Sequence, residues 1–178
     1  GSYQVDRKEG VKNAIKIMKE SGCDALKLEG GVEIIDTVKG ILDAGIPVMA
    51  HLGLTPQSIN KFGTYAVRAK EEAEAEKLVS DALLLQEAGC FSVVFEKVPA
   101  SLATKVSKEL TIPTIGIGAG NGTDGQILVV DDMLGMTKGF SPKFLRRYAD
   151  LNTVMTDAIG NYIRDVKSSD FPNSEESY

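Results

Sequence analysis

Lysine, glutamate, histidine and aspartate recur at one kind of place in this chain, the ends of short apolar runs, where a cation, carboxylates and an imidazole could together form a site for acid–base chemistry. The run IPVMAHLGLTPQSI, Ile46 to Ile59, carries the only histidine, His51, followed by a polar turn at Thr55, Pro56 and Gln57. DALKLEGG ends on Lys27 and Glu29, FSVVFEKVP on Glu96, and ILVVDDMLG on Asp131 and Asp132. A carboxylate is suited to proton abstraction, and an ammonium stabilises the negative charge left behind. Alternate side chains of a strand share a face, which pairs Lys27 with Glu29, Met49 with His51 and Val94 with Glu96. An apolar run that ends in a titratable group is what a parallel barrel strand looks like where its C-terminal end opens onto an active site. For any one of these residues the plain alternative is a solvated loop charge or, for His51, a hydrogen-bonded core histidine. Four runs ending alike favour a shared site.

The elements that must position these residues follow a repeating order of helix, glycine stop and strand. VKNAIKIMKE stops at Ser21-Gly22 before DALKLEG, and VEIIDTVKGILDA stops at Gly45 before IPVMAH. EAEKLVSDALLLQEA stops at Gly89 before FSVVFE, and SLATKVSKEL leads more weakly into IPTIGIG. Glycine just past a helix end takes the left-handed conformation that closes the last turn. The alternation predicts an α/β fold with a parallel sheet, its five strands near 24–29, 46–51, 91–96, 112–117 and 127–131. Gly1-Ser2-Tyr3-Gln4-Val5 reads as a loop that follows a strand and enters a helix.

Composition limits the function classes. The 178 residues are 43% hydrophobic, enough to bury a core, and are most simply one domain. A net charge of -5 leaves no electrostatic footprint for nucleic acid or an anionic membrane surface. No apolar stretch reaches the ~20 residues of a membrane span, and no signal peptide opens the chain, so the expected compartment is the cytosol. Cys23 and Cys90 each follow a glycine and precede a strand, away from the polar tips, and are expected to be small buried hydrophobes.

Two loops carry further motifs. Gly120, Gly122 and Gly125 of GIGAGNGTDG fit G-x-G-x-x-G, but a strand, not a helix, is expected to follow, so the dinucleotide reading fails on context. A tight loop remains, either approaching a ligand or purely structural. TPQSINKFGTYAVRAK, with Lys61, Tyr65, Arg68 and Lys70, reads as a lid or substrate-facing loop, or as ordinary charged surface.

KLEGG, HLGLTPQSI, FEKVPA, IPTIGIGAG and DGQILVVDDMLGM, in this order and spacing, resemble the ketopantoate hydroxymethyltransferases, and the resemblance runs to the tail FPNSEESY. It implies a (β/α)8 TIM-type barrel of which this chain carries the last five β/α units plus a C-terminal helix. Residues 168–178 are read separately as a flexible C-terminal tail. It implies transfer of a hydroxymethyl group from 5,10-methylenetetrahydrofolate to 3-methyl-2-oxobutanoate, giving 2-dehydropantoate on the way to pantothenate and coenzyme A. Mg2+ as cofactor and a homo-oligomer acting on small molecules are implied with it. By position, Glu96 matches the catalytic base, Lys27 a residue contacting the oxo acid, His51 one lining the active site, and Glu29 one supporting the metal site. The family's two metal-ligating aspartates match nothing in this chain and are expected upstream of it. The alternatives are a non-catalytic piece of such a barrel, or a related oxo-acid lyase or mutase.

Overall fold

In the computed structural model, residues 2–178 are described. Gly1 of the predicted opening loop lies outside them; Ser2 to Val5 form a turn that enters the first helix. The chain divides into two compact units, the first reaching Ile127 and the second spanning Leu128–Tyr178.

The first unit alternates helix and strand. Helix α1 (Arg7–Ser21) starts where the Asp6 carboxylate accepts the Glu9 amide, 2.8 Å away, and stops at Gly22 in the left-handed region. Strand β1 (Leu26–Glu29) follows, then a 3-10 turn (Val32–Ile34) and α2 (Ile35–Asp43). Next come β2 (Val48–Gly53), a 3-10 turn (Pro56–Ser58), the short α3 (Ile59–Phe62) and α4 (Glu72–Ala88). Strand β3 (Ser92–Glu96), α5 (Ala100–Glu109), β4 (Thr114–Ile117) and β5 (Gly125–Gln126) complete it. The strands form one parallel sheet in the order β1-β2-β3-β4-β5, as the helix-to-strand alternation predicts. The predicted glycine stops hold: Gly22, Gly45 and Gly89 have φ of 68°, 81° and 104°.

Alternation splits the sheet into two faces. Leu28, Ala50, Leu52, Val93 and Phe95 belong to the core cluster shared with the helices, where they meet Val38 and Ile41 of α2, Leu85 of α4 and Val106 of α5. Each such fully buried side chain contributes roughly 1.5–3 kcal/mol over its exposed state. Lys27, Glu29, His51, Val94 and Glu96 take the intervening positions and share the opposite face.

The fifth strand is a correction. Pairing covers only Gly125 with Ile115 and Gln126 with Gly116, and one more bond, Ile127 amide to Gly116 carbonyl, ends the ladder. The apolar run ILVV then leaves the sheet, with Ile127, Val129 and Val130 about half exposed. An edge strand with one neighbour has nothing to cover such side chains, and the run turns into a short helix, α6 (Val130–Met133). Asp131 and Asp132 therefore lie in a helical first turn and not at a strand tip.

In the second unit, α6 leads to α7 (Leu151–Lys167), the expected C-terminal helix, capped by Asp150, whose side chain accepts from the Thr153 amide and hydroxyl. The two are tied through Tyr148 amide to Met133 carbonyl and Leu151 amide to Leu134 carbonyl. Beyond α7 the chain turns back, so that the Phe171 ring meets Tyr162 edge-on with centroids 5.5 Å apart.

Candidate active site at the strand tips

Neighbouring strands set Lys27, Glu29, His51 and Glu96 side by side. The register pairs Glu29 with His51 and Gly53 with Glu96, so the ends of β2 and β3 come level while β1 stops opposite His51. His51 is the centre. Its Nδ1 lies 3.1 Å from Lys27 Nζ and 3.9 Å from Glu29 Oε1, and its Nε2 lies 3.3 Å from Glu96 Oε2. The last approach is close enough for an ion pair but lacks the alignment of a hydrogen bond, which leaves His51 Nε2 a buried polar atom without such a bond. Lys27 is exposed, His51 is buried, and the Glu96 side chain is 16% exposed, so a proton acceptor and a cation reach solvent while the imidazole between them does not.

Lysine donates and cannot accept. Nδ1 of His51 is therefore the acceptor for Lys27, and the ring proton sits on Nε2, on the side of Glu96.

Glu29 is fixed by neighbours that sequence reasoning missed. Its Oε2 accepts the Gln57 amide at 2.9 Å. The Tyr3 hydroxyl accepts the Glu29 amide at 2.9 Å and lies 3.1 Å from the Glu29 carbonyl oxygen. Burial, and less strongly the nearby Glu29 charge, push the Tyr3 phenol above its ordinary pKa despite opposing hydrogen bonds, so it is protonated at neutral pH. Gln57 stands in the polar turn already singled out after His51. For Tyr3 no periodicity or spacing carried a signal.

The mouth depends on one backbone position. Gly53 has φ +89°, and a Cβ there would stand 2.3 Å from the Glu96 carbonyl oxygen, which accepts the Leu54 amide at 2.8 Å. Only glycine combines that conformation with that approach.

The segment from Thr55 to Lys70 is pinned down on the outer side of the tips. The Arg68 guanidinium stacks on the Phe62 ring, 4.2 Å from its centroid, and pairs with Glu74. The Arg68 amide donates to the Lys97 carbonyl at 2.8 Å, and Lys97 Nζ donates to the Tyr65 carbonyl. A cavity of about 240 Å³ lies behind this segment, with Gly30, Gly31, Phe62, Arg68 and Asp81 in its wall. Two of its cations are paired with carboxylates. Buried Asp81 pairs with Lys77, which also lies 3.4 Å from Glu33. Burial alone would lower the Lys77 pKa and raise that of Glu33; hydrogen bonding and charge pairing outweigh it and move both the other way. Gly31 makes room for Asp81: a Cβ there would stand 2.0 Å from Asp81 Oδ2, while Asp81 Oδ1 accepts the Val32 amide at 3.1 Å.

The glycine-rich loop between β4 and β5 packs on protein. A Cβ at Gly120 would meet Ala100, and one at Gly122 would meet Thr104, both on α5. The loop is closed further by Asp124, which accepts the Thr114 amide at 2.8 Å and hydroxyl at 2.9 Å; these bonds hold its carboxyl below the ordinary range. Cys90 is buried, which pushes its thiol up to about 11, and Cys23 is half-buried against Met18. Among the described residues, no three histidine, cysteine, aspartate or glutamate side chains assemble a cation site.

The sequence model of the family described as Ketopantoate hydroxymethyltransferase matches residues 1–174. The chain belongs to the ketopantoate hydroxymethyltransferase family. Its relatives include the 3-methyl-2-oxobutanoate hydroxymethyltransferases of Bacteroides fragilis and Phocaeicola vulgatus, each 70% identical over all 178 residues, and that of Flavobacterium johnsoniae at 66%. The chain spans 65% of the length of each of these relatives. Ketopantoate hydroxymethyltransferases are thus the family in which Lys27, Glu29, His51 and Glu96 are to be understood. Among the described residues no helix is long and apolar enough to cross a membrane.

Proposed function

We propose that this chain supplies the last five β/α units and C-terminal helix of a single (β/α)8 barrel, and that the complete protein transfers a hydroxymethyl group from 5,10-methylenetetrahydrofolate to 3-methyl-2-oxobutanoate. The methylene carbon and the oxygen of one water become the new CH2OH group, tetrahydrofolate leaves, and 2-dehydropantoate is the product. One observation carries the reading: Lys27, His51 and Glu96, from three adjacent strands, stand in contact at the strand tips with the base and the cation open to solvent.

In this reading Glu96 removes the C3 proton of the oxo acid, and the resulting enolate carbon forms the bond to the one-carbon unit. Lys27 faces the substrate's carboxylate and keto oxygens, where its charge opposes the negative charge that develops on enolisation. The His51 Nε2 proton lies on the side of the base, with Nε2 3.3 Å from Glu96 Oε2. Were Mg2+ bound beside the oxo acid, it would supply Lewis-acid stabilisation of the enolate charge. Glu29 has the supporting role, with the main carboxylate ligands on strands upstream. Assembly as a homo-oligomer and a cytoplasmic location belong to the same reading. A related lyase using a cysteine is disfavoured, because Cys23 and Cys90 precede β1 and β3 and lie at the other end of the strands.

The test is turnover. The intact protein carrying this sequence, given 3-methyl-2-oxobutanoate and methylenetetrahydrofolate, is expected to release tetrahydrofolate and 2-dehydropantoate in equal amounts by mass spectrometry. Release of neither product by folded protein supplied with Mg2+ overturns the reading.

A further inference from the structure

Strand β1 is the edge of the sheet among the described residues, and its ladder fixes where Glu29's backbone points. Leu26 amide bonds to Pro47 carbonyl and Gly30 amide to His51 carbonyl, so the even-numbered residues of β1 face β2. Alternation turns the amide and carbonyl of Glu29 the other way, to the outer edge. There a single side-chain atom meets both. The Tyr3 hydroxyl takes the Glu29 amide at 2.9 Å, and its own proton has two acceptors within reach, the Glu29 carbonyl at 3.1 Å and Gln57 Oε1 at 3.2 Å. A phenol has one proton, so only one of these is made at a time. Gln57 closes the circuit: Oε1 accepts Gln4 Nε2 at 2.9 Å, and its amide holds Glu29 Oε2 at 2.9 Å.

We infer that Tyr3 is a positioning residue, whose hydroxyl sets the direction of the Glu29 carboxylate at the tip of β1. This rests on reading the strand tips as an oxo-acid site. Tyr3 touches none of the proposed reacting atoms. Its ring packs against the core cluster, which makes it a fixed post, while its hydroxyl grips the one residue whose free carboxylate oxygen, Oε1, faces His51. With Oε2 held by Gln57 and the backbone held by Tyr3, Glu29 has a single direction in which to present Oε1. A purely structural tyrosine would spend its hydroxyl on a loop or on water. Here both bonds converge on the active strand tip.

Tyr3→Phe in the intact protein removes the hydroxyl and keeps the ring. The expected result is a kcat lowered roughly tenfold to a hundredfold, as small misplacements of catalytic groups produce, with KM changed by less than about twofold. The Glu29 amide proton should move upfield in the NMR spectrum and exchange at least about tenfold faster, a readout independent of turnover. If Tyr3→Phe does not fold, fluorotyrosine at position 3, which keeps the hydroxyl but weakens it as an acceptor, gives the same readouts in graded form. An unchanged kcat overturns the inference, and so does a loss of activity that only tracks the folded fraction. Glu96→Gln run in parallel separates the two proposals. Full activity in Glu96→Gln sinks the oxo-acid reading, whereas an inactive Glu96→Gln beside a normal Tyr3→Phe sinks only the role of Tyr3.

Discussion

Lys27 Nζ stands 3.1 Å from Nδ1 of His51, and that contact decides which nitrogen of the imidazole carries the proton. A lysine offers donors only, so the ring must accept at Nδ1 and keep its hydrogen on Nε2, facing Glu96. The order of charges across β1, β2 and β3 is thus a relay of orientation, from cation to imidazole to carboxylate.

The relay can be read directly, because His51 is the only histidine. Nitrogen-15 spectra of the imidazole are expected to show the Nε2–H tautomer, and Lys27→Met should remove that preference. The same substitution should raise KM and lower kcat together, since the lost charge acts in both ground and transition states. A KM effect with kcat unchanged would restrict Lys27 to binding.

Glu96→Gln keeps the shape of the side chain and removes the base. Exchange of the substrate's C3 proton, followed by NMR in deuterated buffer, should fall about a hundredfold to ten-thousandfold while substrate still binds. Near-normal exchange would exclude Glu96 as the base.

Gly53→Ala forces a Cβ into the Glu96 carbonyl at a φ of +89°. The expected cost is about 1–3 kcal/mol of stability, seen as a lowered Tm, together with a loss of turnover because the carbonyl that moves belongs to the base.

Cys90 gives a pH signature. Its folded thiol sits near 11 against an ordinary value of 9.0, so the folded state binds this proton more tightly than the unfolded one. The corresponding stabilisation is fully present below the unfolded pKa and is lost as pH rises through the folded value. Denaturant unfolding of wild type and Cys90→Ala should therefore converge between the two pH values as alkali is added. Thiol labelling at pH 8 should modify half-buried Cys23 before Cys90.

How far the sequence led differs between strands and site. The first four strands were legible because apolar runs bounded by glycine or proline stops leave few alternatives, and the helix stops fell where left-handed glycine was required. Strand starts came out one or two residues early, since Ile46, for example, bonds back to Ile41 of the preceding helix before pairing begins. The fifth failed because ILVV is as apolar as a buried strand, yet pairing stops at Ile127 and the run enters α6. At the site, period-two alternation paired Lys27 with Glu29, Met49 with His51 and Val94 with Glu96 within their own strands, and the register supplies the rest by bringing the three strands together. What escaped notice is that Tyr3 and Gln57 hold Glu29, because those contacts span 26 and 28 positions and leave no periodic trace.

Gly31 and Asp81 carry a consequence for the history of the chain. The carboxyl group occupies the space a side chain at position 31 would need, and it ties the exit of β1 to α4 through the Val32 amide. Neither position can drift alone: alanine at 31 ejects the carboxylate, and loss of the carboxylate strips Lys77 of its buried partner and opens a void beside the glycine. A substitution at either position is expected to be tolerated best when the other changes with it.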